Sequence, residues 1–175
     1  MIEKKISARR YGRLLAVLYL NDKMDTISNG TVPSIYIEDY VEKLETYLPE
    51  YTTLPSNIQY QIVQFAQTTI IKIYEQENLL INIISKTSTN RTWDKFLTLD
   101  KALLLIGVLN LQTDPTPSVI VKEILIVSDL LNNHNAAPYL SGILKSIAFP
   151  IKERETSSIF TNFKKTSKIR LKTSQ

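Results

Sequence analysis

From Ala102 to Leu111 the chain reads ALLLIGVLNL, and Asn110 is the first polar side chain in that run. A helix that is hydrophobic all round has to be buried all round. This segment is therefore expected to be the central spoke of an all-α bundle. Asp114-Pro115-Thr116-Pro117 ends it, because proline cannot continue a helix and pushes the residue before it out of the α region. Ser118 is expected to cap the next helix, whose apolar positions Ile120, Ile124, Val127 and Leu131 recur at helical spacing opposite Lys122 and Asp129. Asn132-Asn133-His134-Asn135 breaks that pattern. A last helix then carries Tyr139, Leu140, Ile143, Leu144 and Ile147 on one face, with Gly142 expected to admit a close neighbour.

The earlier chain has the same grammar. Ser7 is a good cap for a helix running to about Asn21, with Tyr11, Leu14, Leu15 and Leu18 on its apolar side. Asn21 to Pro33 reads as a loop. A second amphipathic helix is expected over Ser34 to Leu48, followed by a break between Pro49 and Pro55. A long helix over about Asn57 to Ser85 has Ile58, Ile62, Phe65, Thr69 and Ile73 on its core side, with a bend expected at Glu75-Gln76-Glu77-Asn78. Lys86 to Thr92 is a loop, and Trp93 in the turn after it is expected to anchor the core. The four glycines in 175 residues and the absence of any internal repeat fit one helical domain over residues 1–150.

Charge is distributed unevenly. Residues 1–13 carry +4, residues 14–150 carry −5, and residues 151–175 carry +5. An acidic body with two basic ends suggests an acidic partner such as nucleic acid. After Ala148 the apolar period stops, so 151–175 reads as a basic, flexible tail, in which Lys164, Lys165, Lys168, Arg170 and Lys172 surround Phe160 and Phe163. The basic start and apolar run at the N-terminus lack a small-residue cleavage site and are interrupted by Arg13. No stretch approaches the roughly 20 apolar residues of a membrane span. A soluble, cytoplasmic protein is expected.

Catalytic chemistry finds little footing. The absence of cysteine excludes thiol catalysis and cysteine metal sites, a lone histidine, His134, speaks against a zinc site, and there is no glycine-rich phosphate loop. Glu38, Glu42 and Glu45 share one helix face as a solvated stripe rather than a converging acid–base pair. No enzyme, metal or cofactor is expected. The N-terminal cations Lys4, Lys5, Arg9, Arg10 and Arg13 are the leading binding candidates, since an arginine fork meets phosphates bidentately and stacks on bases. On a helical wheel Arg9 and Arg13 share the side opposite the leucines, with Arg10 adjacent and only Gly12 and Ala16 flanking them. That spacing is equally that of a solvated helix face.

The ordered set LDKALLLIGVLNL, a proline turn, VIVKEILIVSDLL and YLSGILKSIA resembles the C-terminal half of the NusB family of transcription antitermination factors. Glu123 and Gly142-Ile143-Leu144 match the family pattern, and the likeness extends back through Trp93-Asp94-Lys95-Phe96-Leu97 to Ala8-Arg9-Arg10. The resemblance implies an all-α NusB-like bundle of about seven helices in two packed three-helix subdomains. It also implies binding to boxA-like single-stranded RNA through the arginine-rich segment, together with the ribosomal protein NusE, in the RNA polymerase antitermination complex. Asn135 and Tyr139 align near the family's RNA surface, and Asp100 near its NusE surface. A monomer or weak homodimer is expected. Tyr11, Ile83, Leu105 and Ser141 depart from residues usual in the family. The helical RNA-positioning domain of ribosomal RNA cytosine methyltransferases shares the fold, but that enzyme needs a nucleotide-binding βαβ domain downstream, which is not expected in this chain. A purely protein-binding helical module is the other alternative.

Overall fold

The computed structural model describes residues 7–25 and 32–150, so Lys4, Lys5 and the 151–175 tail lie outside the described residues. Among the described residues are six α-helices and three short 3-10 turns, with no strand. The helices are α1 (Ala8–Lys23), α2 (Glu38–Glu45), α3 (Ser56–Thr87), α4 (Thr98–Thr113), α5 (Pro117–Leu130) and α6 (Ala137–Ala148). The all-helical class is as the sequence predicts, with one helix fewer than the approximate count. No helix is long and apolar enough to cross a membrane.

Every residue from Ala102 to Asn110 is buried, so the all-apolar run is the central spoke. α1 and α3 pack on one side of α4 and on each other, while α5 and α6 pack on it from the other half of the chain. Two glycines allow the closest approaches. A Cβ at Gly12 would lie 2.8 Å from Phe65 of α3, and one at Gly107 would lie 2.8 Å from Leu144 of α6. Gly142, expected to admit a neighbour, has nothing within 4 Å of its would-be Cβ. The close contact between α4 and α6 is made from the α4 side.

Local chemistry explains the ends. Ser7 caps α1, its Oγ accepting from the Arg10 amide at 3.4 Å. α5 starts one residue before Ser118, with Pro117 in the first turn, where a missing amide proton costs nothing. The N-cap is Thr116 rather than Ser118, without a side-chain cap bond, and Asp114 fixes the turn before it by accepting from the Thr116 amide at 2.8 Å. α2 is shorter than expected, because residues 32–37 are not helical and Thr46-Tyr47 form a turn. α3 runs unbroken through the polar cluster. Glu77 keeps the helical spacing of the buried face Ile73, Leu80 and Ile84, and its burial pushes its carboxyl upward in pKa. In the turn before α4 the buried ring is Phe96, 4% exposed, while Trp93 is half-buried against it at 6.3 Å between centroids.

Candidate nucleic-acid interface

The α1 arginines do not form one solvent-facing set. Arg10 grips Glu123 of α5 with a two-pronged fork, Nε to Oε2 at 2.9 Å and a terminal nitrogen to Oε1 at 2.7 Å. This bidentate, charge-assisted geometry is the strong form of the pair, and it holds the Glu123 carboxyl below its ordinary pKa. Arg13 is 4% exposed. Its Nε donates to Asn110 Oδ1 of α4 at 2.7 Å, its guanidinium lies 5.3 Å from the Phe65 ring centroid, and Glu123 is 3.9 Å away. The expected opposition of Arg13 to the core side is thus corrected. The bare Gly12 turns toward α3 and draws Arg13 into the α1–α3–α4 junction. Arg9 alone of the three is exposed.

Asp100 is likewise placed differently from the expected partner surface. It is fully buried at the N-terminal end of α4. One oxygen accepts from Asn133 Nδ2 at 2.8 Å, and the other accepts from the Tyr139 hydroxyl. Asn132 ends α5 in the left-handed conformation, φ 55°, as asparagine tolerates at a helix C-terminus, and this turn delivers Asn133 to Asp100. Burial and the bond to Asp100 push the Tyr139 phenol far above its usual pKa. The hydroxyl's bond to buried Asp100 holds the Tyr139 ring in place beside Phe96. Asn135 is exposed in the turn before α6.

Beside the Tyr139 ring stands a cation that the helix-by-helix reading of the sequence passes over. Arg91 follows α3, is exposed, and lies 4.9 Å from the Tyr139 centroid and 5.5 Å from that of Phe96. The two rings are themselves 6.2 Å apart. Arg91 has no carboxylate within 4 Å among the described residues. It borders a groove of about 390 Å³ into which Ser88, Thr89 and Ser146 bring hydroxyls and which Gly142 leaves open. The signal in the sequence was a basic residue interleaved with aromatics, Arg91, Trp93 and Phe96, in a segment with no helical period to draw attention to it. This surface offers an exposed guanidinium without a carboxylate partner among the described residues, stacked beside the half-buried Tyr139 ring and the groove hydroxyls, chemistry with which proteins hold single-stranded bases and phosphates.

Arg9 borders a second groove, of about 400 Å³, at the other end of α4. Asp100 and Asn110 are ten residues apart on that helix, or about 15 Å at 1.5 Å per residue. The residues singled out for RNA therefore divide into an Arg9 end and a Tyr139 end, with Arg10 and Arg13 committed to internal partners between α1, α4 and α5.

Compared with known families, residues 13–149 match the model of the NusB family. No curated protein and no solved structure matches the chain.

Proposed function

The chain belongs to the NusB family, a family of non-catalytic RNA-binding factors in transcription antitermination, and from that premise we propose that it binds a boxA-like single-stranded RNA together with the ribosomal protein NusE, supporting ribosomal RNA transcription within the RNA polymerase antitermination complex. The observation that carries this reading is Arg91, a guanidinium without a carboxylate partner among the described residues, held over the Tyr139 and Phe96 rings at a polar groove. The mechanism is binding alone. The guanidinium takes a phosphate or stacks on a base, the fixed Tyr139 ring supplies a second face, and Asn135 lies exposed at the start of the same helical segment. Asp100 acts by positioning Tyr139 rather than by touching a partner. Exposed Leu97 and half-buried Trp93, with Lys101 5.4 Å from the Trp93 centroid, form the adjoining surface assigned to NusE. The domain spans residues 1–150, and the basic tail adds general attraction.

The test is a titration of labelled boxA-like RNA with the protein, with and without NusE. Binding by the protein alone that tightens when NusE is added is the expected result. No binding to single-stranded RNA under either condition at near-physiological salt would overturn the reading.

A further inference from the structure

A third groove, of about 570 Å³, lies along the second half of α3, where Val32 borders the residues from Tyr74 to Leu79. Glu77 is among its lining residues and is only 8% exposed. Among the described residues this carboxylate has no cation within 4 Å and no hydrogen-bond donor. Burial, with no opposing charge, raises its pKa. No fully enclosed side-chain oxygen among those residues lacks a partner, so the unpartnered Glu77 carboxylate keeps its remaining exposure on the groove. A carboxylate withdrawn from water without a partner opposes folding. Its neighbours at helical spacing, Ile73, Leu80 and Ile84, are apolar and fully buried. Packing therefore gives no reason for an acid at this position, whereas an incoming cation does.

We propose that this groove receives an arginine side chain from a basic segment of a partner protein, with the guanidinium on Glu77 and the aliphatic stem along Val32 and Leu79. The charge is complementary. Exposed Glu75 adds a second carboxylate to the lining, no lysine or arginine is in it, and residues 14–150 together carry −5. Val32, 46% exposed, and Leu79, 51% exposed, offer the apolar surface along which a long cationic side chain lays its methylenes. Gln76 and Asn78 bring amide oxygens that can accept from the remaining guanidinium N–H groups. Arginine suits a buried carboxylate better than lysine, because a guanidinium is more weakly hydrated than an ammonium and its fork meets both oxygens at once. The donor set does not suit a metal ion. Glu75 and Glu77, two apart on a helix, do not face each other, and among the described residues no group of three or more acidic or histidine side chains could hold one. Glu77 and Thr87, which borders the Arg91 groove, are ten residues apart on α3, about 15 Å. The site is thus separate from the surface assigned to RNA and does not rest on that reading.

The experiment titrates the capped peptide Ac-Leu-Arg-Leu-NH2, its counterpart with neutral citrulline in place of arginine, and spermidine into the full chain and its Glu77→Gln and Glu77→Leu variants. Thermal unfolding of each variant is followed alongside. The parent is expected to bind the arginine peptide, and the affinity is expected to fall about tenfold or more in both variants and with the citrulline peptide. Glu77→Leu is expected to melt above the parent, because it removes a buried carboxylate without a partner. A carboxylate needed for the fold predicts the reverse, so a Glu77→Leu variant that melts below the parent would overturn the proposal. An arginine peptide that the parent does not bind, or that the variants bind as tightly, would also overturn it. Spermidine that binds as tightly as the peptide, and is lost in the same variants, would overturn the protein partner in favour of a free polyamine.

Discussion

Arg9, Arg10 and Arg13 lie within one and a half turns of helix, yet they have different physical fates. Arg13→Ala removes a guanidinium that satisfies Asn110 inside the α1–α3–α4 junction, and a loss of about 1–3 kcal/mol in unfolding free energy is expected for a buried group left unpaired. Arg9→Ala, at an exposed position, is expected to stay within about 0.5 kcal/mol of the parent. Denaturant unfolding of the two variants checks the pair, and equal stability would mean that Arg13 is not held as described. The same contrast holds for glycines. Gly12→Ala places a Cβ against Phe65 and is expected to cost about 1–3 kcal/mol through overpacking. Gly142→Ala meets nothing and replaces a helix-interior glycine, so it is expected to stabilise by up to about 1 kcal/mol.

Between elements, two polar junctions join the halves of the bundle. In the first, Arg10 of α1 holds Glu123 of α5 and keeps its carboxyl below the ordinary value of 4.5. A carboxylate with a depressed folded-state pKa contributes stability that is fully present above its unfolded value and is lost as the pH falls through the folded one. Glu123→Gln is therefore expected to be less stable than the parent at pH 7, with the difference closing once the pH falls below about 4.5. A gap that did not narrow at all as the pH fell below 4.5 would contradict the ion pair. In the second junction, Tyr139→Phe leaves an Asp100 oxygen without its donor but keeps the ring. A lower melting temperature with most RNA binding retained is expected, whereas Tyr139→Ala is expected to lose both. The helices were legible in the sequence because a 3.6-residue period is a local property, and α4 was plain because nothing but burial suits ten nearly continuous apolar residues. The junctions were not legible. Glu123 is 113 residues from Arg10 and Asn133 is 33 from Asp100, and a helical wheel of α1 treats Gly12 as empty space rather than as the door through which Phe65 and Arg13 meet. The arginines therefore looked like one free face, when two of the three are joined to internal partners. Arg91 had no period around it to mark it.

For the whole molecule, charge and placement act together. The chain carries +4 before Leu14 and +5 after Pro150 around a body of −5, and the proposed function draws general attraction to RNA from the ends and defined contacts from the body. Removing residues 151–175 is expected to weaken RNA binding mainly at low salt, and by less than Arg91→Ala does at physiological salt, because screening within about 8 Å suppresses charges without a fitted site. The most direct test of the central claim is the salt dependence of boxA-like RNA binding, by fluorescence anisotropy, for the parent, Arg91→Ala and Arg10→Ala. The prediction is that Arg91→Ala binds more weakly at every salt concentration, with a logarithmic slope shallower by about 0.7. Arg10→Ala, which removes the partner of Glu123, is predicted to keep the parental slope while losing thermal stability. An Arg91→Ala variant with the affinity and slope of the parent, beside an Arg10→Ala variant that loses both, would contradict the account.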